Sequence, residues 1–333
     1  MNIDTKNMAG QPIQPLVFMT VKDIYDAPQE EVNFCVKGLL PTGGMSVLAG
    51  KPKAGKSTLA RQLAVAVAHG TPFLNRETEQ GAVLYLGIEE KQSEVAAHFQ
   101  QLGLCESDPV LIRCGAVPKN QSVAMLEDAL MRMPEAKLVI IDPMFRFVGG
   151  VKDASDYVQV NNALEQLLEL ARRYNVHILT VHHMKKKETE DVMDGALGST
   201  AIVGGTDTFI GLLVDGKGMR TICSRQRYGT DMEPTQLEWD SETRELSLGM
   251  TSDDANRAAA DASRRRQEEG MINYVAAHEG CTQTAMLNAV PGKRASKLRV
   301  MQQLIDDKCF VQFGEGVKGD PYTYRIAELE HKA

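Results

Sequence analysis

Eight residues, Gly50-Lys51-Pro52-Lys53-Ala54-Gly55-Lys56-Ser57, fit the spacing G-x-x-x-x-G-K-[ST] without a mismatch. Glycines at both ends let the backbone turn tightly, so that successive N–H groups converge on a polyphosphate with the positive end of a helix behind them. In that geometry the Lys56 ammonium reaches the β- and γ-phosphates and the Ser57 hydroxyl holds Mg²⁺. A P-loop therefore needs a strand before it and a helix after it. Met45-Ser46-Val47-Leu48-Ala49 reads as the strand, and Thr58 to His69 sets Leu59, Leu63, Val65, Ala66 and Val67 at helical spacing. Residues 50–58, that is Gly50, Lys51, Pro52, Lys53, Ala54, Gly55, Lys56, Ser57 and Thr58, are the expected ATP site, with Mg²⁺ as its companion ion.

Three further groups of residues suit that chemistry. Leu138-Val139-Ile140-Ile141-Asp142 is an apolar run with an acid at its end, as a strand covered on both faces by helices requires, and Asp142 would join Ser57 in holding Mg²⁺ through its water shell. Ala82 to Ile88 is a second such run, and it ends in Glu89-Glu90, where parallel α/β sheets bind their ligands. Either acid also suits the start of the next helix. Val176 to Val181 leads into His182-His183. Neighbours on a strand point to opposite faces, so the two imidazoles cannot share one metal, and an ordinary core histidine is the alternative reading.

The elements that must position these groups alternate strand and helix from residue 38 to about 250, giving an α/β fold with a mainly parallel sheet covered by helices. At 333 residues there is room for one large domain and a small appendage. The formal charge of −7 advertises no global attraction to nucleic acid, so any such contact must be local. Six scattered cysteines without a C-x-x-C pair argue against a zinc site or a disulfide framework and for a reducing cytoplasm. No signal peptide or membrane-spanning run stands out, so a soluble, cytoplasmic protein with no membrane partner is expected. Residues 1–37 read as an arm, with Ile24, Tyr25 and Phe34 expected to pack beside the nucleotide domain.

Gly38-Leu39-Leu40-Pro41, Gly44, the Lys-Pro-Lys-Ala-Gly-Lys-Ser spelling of the loop and the ending Ala68-His69-Gly70-Thr71-Pro72-Phe73-Leu74 resemble the RepA-type ATPases. These belong to the RecA/DnaB-like superfamily 4 of plasmids and phages, and the resemblance runs over roughly residues 20–245. It implies a RecA-like core at 38–250, in which Glu89 polarises the attacking water and the pair His182 and His183 senses the γ-phosphate. Arg225-Gln226-Arg227 stands where the superfamily shows K-x-R, which implies that Arg225 and Arg227 reach into a neighbouring subunit's ATP. The stretch 184–206 resembles the loop that faces the central channel and touches single-stranded DNA. Its acids Glu188, Glu190, Asp191 and Asp194 nearly cancel Lys185, Lys186 and Lys187, and a solvated charged loop reads as well. The resemblance implies a ring-forming homo-oligomer, a hexamer, that hydrolyses ATP to move on single-stranded DNA as a replicative helicase alongside replication proteins. The alternative is an ATP-dependent switch or loader that does not translocate.

Beyond the core, residues 251–270 are rich in Ala, Asp and Arg and read as a helical or flexible linker. Residues 271–333 pattern as three helices and two strands, a winged-helix-like domain, with Lys293, Arg294, Lys297 and Arg299 at the start of the third helix. DNA and protein both remain suitable partners for it.

Overall fold

The computed structural model describes residues 17–28, 31–149, 157–184 and 204–327. A short helix, α1 (Val21–Asp26), precedes a hairpin of β1 (Phe34–Val36) and β2 (Leu40–Pro41). The core then runs β3 (Met45–Gly50), α2 (Lys56–His69), β4 (Ala82–Gly87), α3 (Gln92–Gln101), β5 (Val110–Cys114), α4 (Ser122–Arg132), β6 (Ala136–Asp142), α5 (Met144–Phe147), α6 (Tyr157–Tyr174) and β7 (His177–His183). Next come β8 (Thr208–Val214), β9 (Arg220–Gln226), β10 (Met232–Trp239), β11 (Leu246–Thr251) and the long helix α7 (Ser252–Ala277). After it follow β12 (Cys281–Thr282), α8 (Gln283–Ala289), α9 (Arg294–Asp306), β13 (Phe310–Phe313) and β14 (Thr323–Ile326).

Strands β3 to β11 make one nine-stranded sheet in the order β11-β10-β9-β8-β3-β7-β6-β4-β5. The segment from β8 to β5 in that order is parallel throughout, and β9, β10 and β11 extend it antiparallel. Helices cover both faces, so the central strands are apolar without a break. The strand period of two sorts them: Leu138 and Ile140 join the core that contains α2, while Val139 and Ile141 join the core that contains α4 and α6. Asp142 continues the Leu138 series and so emerges on the α2 side. By the same count Leu179 and Val181 pack toward α2 and Ile178 packs toward α6, which sends His183 to the P-loop side of β7 and His182 to the other.

Register also fixes the two ends of the sheet. Gly50 lies level with Leu212 of β8, and Leu212 level with Ile222 of β9, so the P-loop end of β9 is its beginning, at Arg220. Gln226, at its other end, pairs with Thr208.

The stretch read as a linker is helical and continuous with the helix after it, because α7 runs unbroken from Ser252 to Ala277. The Thr251 hydroxyl caps it by accepting from the Asp254 N–H. Its last turns give Met271 and Val275 to a separate core with Met286, Leu287, Val300, Met301, Phe310 and Tyr324. A third strand, β12, joins β14 and β13 there. The basic group at the start of α9 is smaller than the sequence suggests. Lys297 turns inward, its Nζ donating to the carbonyls of Leu287 at 2.5 Å and Val290 at 3.0 Å, whereas Lys293, Arg294 and Arg299 stay exposed. At the other end, α1 does not pack as expected: Ile24 and Tyr25 are exposed, and of the three apolar residues singled out there Phe34 alone is partly covered.

Candidate active site

The P-loop follows β3 without slack. A Cβ on Gly50 would lie 2.2 Å from the Leu212 carbonyl oxygen, so no other residue fits, and Gly55 takes a left-handed φ of 103° to open α2. Lys56 is buried, and its Nζ donates to the carbonyls of Gly50 and Lys51, each at 2.9 Å, which folds the ammonium back across the loop. Burial brings its pKa down to about 8, against the pull of the Asp142 carboxylate. Lys51, Pro52 and Lys53 are exposed on the rim, Ala54 is buried, and Ser57 and Thr58 are half-buried in the first turn of α2. Arg220, at the start of β9, donates from Nε to the Ala54 carbonyl at 3.1 Å and so ties the antiparallel extension to the loop.

Asp142 and Ser57 meet as their sequence positions imply. Burial raises the Asp142 pKa, and a hydrogen bond with the Ser57 side chain opposes that rise. The other carboxylate oxygen, Oδ2, is buried with no partner. A buried, unpaired carboxylate oxygen beside a hydroxyl is a donor set that suits Mg²⁺, which Asp142 and Ser57 would hold. No group of three or more His, Cys, Asp or Glu able to hold a metal ion occurs among the described residues. Such an ion, when bound, would stabilise the charge that develops on the phosphate oxygens.

The two consecutive acids part company. Glu90 lines the cleft of about 390 Å³ in front of the P-loop. Its carboxylate pairs with the guanidinium of Arg61, a buried residue of α2, and accepts from the Tyr85 hydroxyl at 3.4 Å. Glu89 instead lines an adjoining cleft of about 320 Å³ with Arg146, Phe145, His182 and His183. Arg146 Nε donates to Glu89 Oε1 at 2.5 Å. His183 borders both clefts. Burial lowers its pKa, as does the nearby Lys56 charge. His182 packs edge to face on Phe145 with ring centroids 5.1 Å apart, and burial pushes its pKa down to about 4. Of the histidine pair, His183 is thus the one that faces the phosphate loop.

Arg225 and Arg227 are not brought to this cleft. Arg225 is level with Phe209, near the end of the sheet away from the P-loop, and it pairs with Asp231 at 3.0 Å. Arg227 pairs with Asp207 at 3.4 Å. The loop lysines Lys185, Lys186 and Lys187 lie outside the described residues. Sequence reasoning missed Arg61, Arg220, Trp239 and His98, all of which line the P-loop cleft. Arg61 carried a signal, since a charge sits there between Ala60 and Leu63 on an otherwise apolar helix face. Arg220 and Trp239 carried none, because only strand pairing brings them near.

Residues 12–189 match the model of a family described as AAA domain, which is more than half of the chain. The DNA repair protein RadA of Streptococcus pneumoniae is 26% identical over 191 residues, covering 55% of this chain and 41% of that protein. The DNA repair protein RadA of Brucella abortus is 23% identical over 331 residues, covering 92% of this chain and 66% of that protein. The chain thus spans less than two thirds of the length of either relative. Among solved structures, a KaiC-like protein from Pyrococcus horikoshii OT3 is 14% identical with a TM-score of 0.47, covering 65% of this chain and 93% of that one. The family match runs from before the P-loop through Glu89 and Asp142 to His183, and the chain belongs to the AAA domain family of P-loop ATPases.

Proposed function

We propose that this protein is a ring-forming, RepA-type motor that hydrolyses ATP to move on single-stranded DNA, as a replicative helicase does. The observation that carries the reading is the division of its charged groups between the two ends of one sheet. Lys56, Ser57, Asp142 and His183 gather at the P-loop end, whereas Arg225 and Arg227 belong to the far end of β9. A cation that neutralises the departing γ-phosphoryl group must touch it, so in this reading the pair acts on the site of a neighbouring copy and not on its own. Six copies in a closed ring would give every site such a pair.

In this scheme the loop N–H groups and Lys56 bind the β- and γ-phosphates, and Ser57 with Asp142 would hold Mg²⁺. Glu89 leaves Arg146 to orient and deprotonate the attacking water, and His183 hydrogen-bonds the γ-phosphate. The relatives named for DNA repair favour a DNA partner. The end of α7 with α8, α9 and the β13–β14 hairpin is read as a winged helix, with Lys293, Arg294 and Arg299 as its outward charges. ATPase rate, measured against protein concentration with and without single-stranded DNA, tests the proposal. A specific rate that climbs with concentration and again with DNA is expected. A rate indifferent to DNA would replace the motor with an ATP-dependent switch.

A further inference from the structure

We propose that the base of the bound nucleotide stacks on Trp239, in a hollow that takes purine nucleoside triphosphates without selecting adenine over guanine. The proposal rests on the reading of the P-loop as a polyphosphate site. The P-loop cleft continues past the first turns of α2 into a smaller hollow of about 120 Å³, and the two share Thr58, Arg61, His98 and Trp239. Trp239 is the chain's single tryptophan. It ends β10, level with Leu246 of β11, and 42% of it is exposed beside the cleft. Every base offers a π-face to an indole, so stacking here binds bases by area and favours purines over pyrimidines.

Two polar atoms in the hollow point to a missing partner. Arg61 Nε and His98 Nδ1 are buried and unpaired, and Arg61 as a residue is only 3% exposed. Buried polar groups are rarely left so unless something binds them. The fixed acceptors nearby are already engaged. Gln101 Oε1 accepts from Arg244 Nη1 at 2.6 Å, and the Glu90 carboxylate accepts from Arg61 and Tyr85. Arg244 holds the Gln101 oxygen and leaves only its N–H groups unengaged, so among the described lining residues no side-chain amide presents the free donor and acceptor together that read an adenine edge. Burial and the Arg61 charge lower the His98 pKa, which favours the neutral ring. A neutral imidazole changes tautomer, so it can accept from the amine of adenine or donate to the carbonyl of guanine.

The single tryptophan makes the test direct. The full-length protein is titrated with ATP, GTP, UTP and inorganic tripolyphosphate, following tryptophan emission and binding heat together. ATP and GTP should shift the emission alike, with dissociation constants within about threefold of each other, and UTP should bind more weakly. Tripolyphosphate should bind and leave the emission unmoved. Trp239→Ala should weaken ATP and GTP about tenfold and tripolyphosphate not at all, while Trp239→Phe, which keeps a ring, should recover most of the loss. Binding heat from ATP with silent emission in the wild-type protein overturns the stacking. A preference for ATP over GTP of about a hundredfold or more overturns the tolerance. Absence of heat with ATP and tripolyphosphate alike overturns the phosphate reading, and this inference with it.

Discussion

Glu89 and Arg146 are joined by a hydrogen bond of 2.5 Å that holds the acid in the cleft beside the P-loop cleft rather than within it. Arg146 sits on α5, directly after the strand that carries Asp142, so the pair links the end of β4 to the end of β6. Both side chains are exposed to solvent, and such pairs are worth about 0.2–1 kcal/mol. Arg146→Ala should therefore raise basal ATP turnover, by no more than about fivefold, by freeing the carboxylate. Glu89→Gln should keep ATP binding and lose hydrolysis. Steady-state rates with binding measured separately decide the matter: if Glu90→Gln abolishes turnover and Glu89→Gln does not, the water-activating role passes to Glu90.

Lys56 makes nucleotide affinity depend on pH in one direction. With its pKa at about 8 in the free protein, the amine is part-neutral just above neutrality, and a polyphosphate beside it favours the charged form. The complex then holds more protons than the free protein, so affinity should fall as pH rises through 8, by up to about tenfold per unit. Below pH 7 this group should contribute no slope. Calorimetry at alkaline pH in buffers of different ionisation heat should show proton uptake on binding ATP. Lys56→Ala should lose both the uptake and most of the affinity.

The P-loop, Asp142 and the apolar strands were legible because each is a local pattern: a fixed spacing, or a run that a doubly covered sheet demands. Even the divergence of His182 and His183 follows from strand alternation. The assignment of His183 to the phosphate side did not, since it depends on which face of β7 meets α2. Nor could the sequence place Arg220 or Trp239, whose approach to Gly55 and Thr58 comes from antiparallel pairing across β8 to β11. The joining of 251–270 to the next helix was missed for another reason. Few large apolar residues mark that stretch, and its helicity comes from alanine content and the Thr251 cap.

His177 should make the fold sensitive to acid. It is fully buried between the Pro41 carbonyl and the Ser46 hydroxyl, each at 2.8 Å, and burial lowers its pKa to about 4. Above the unfolded value near 6.5 the neutral ring is present in both states and costs nothing. Between 6.5 and 4 the unfolded chain takes up a proton that the folded one refuses, so stability falls as pH drops through that window, by up to about 3 kcal/mol for this residue. His182, also held near 4, adds to the same slope. Urea unfolding at a series of pH values measures it. His177→Gln should be less stable at pH 7 yet flatter with pH, and an unchanged slope would remove His177 from the account.

The position of Arg227 can be tested by mixing subunits. Arg227→Ala and Lys56→Ala should each be nearly inactive alone, one lacking the cation it lends and the other the loop lysine it uses. In a mixed oligomer, some sites pair an intact P-loop with an intact arginine from the next copy. Part of the hydrolysis should return on mixing and grow with total protein concentration. Mixed oligomers that form, by cross-linking or mass, without any recovery would argue that Arg227 acts elsewhere.

DNA coupling and DNA recruitment should separate along the chain. α7 starts immediately after β11, and its last turns belong to a core of their own around Met271, Val275 and Tyr324. A chain ending at Thr251 keeps all nine strands of the large sheet, so it should retain ATPase activity that single-stranded DNA still stimulates. Replacing Lys185, Lys186 and Lys187 together by alanine should blunt that stimulation and spare basal turnover. Stimulation through those lysines should also weaken with rising salt, because each neutralised phosphate releases counterions. If the shortened chain hydrolyses ATP at full rate but ignores DNA, and the triple variant of the full chain still responds, the coupling lies beyond Thr251. The exposed Lys293, Arg294 and Arg299 would then be the contacts to examine.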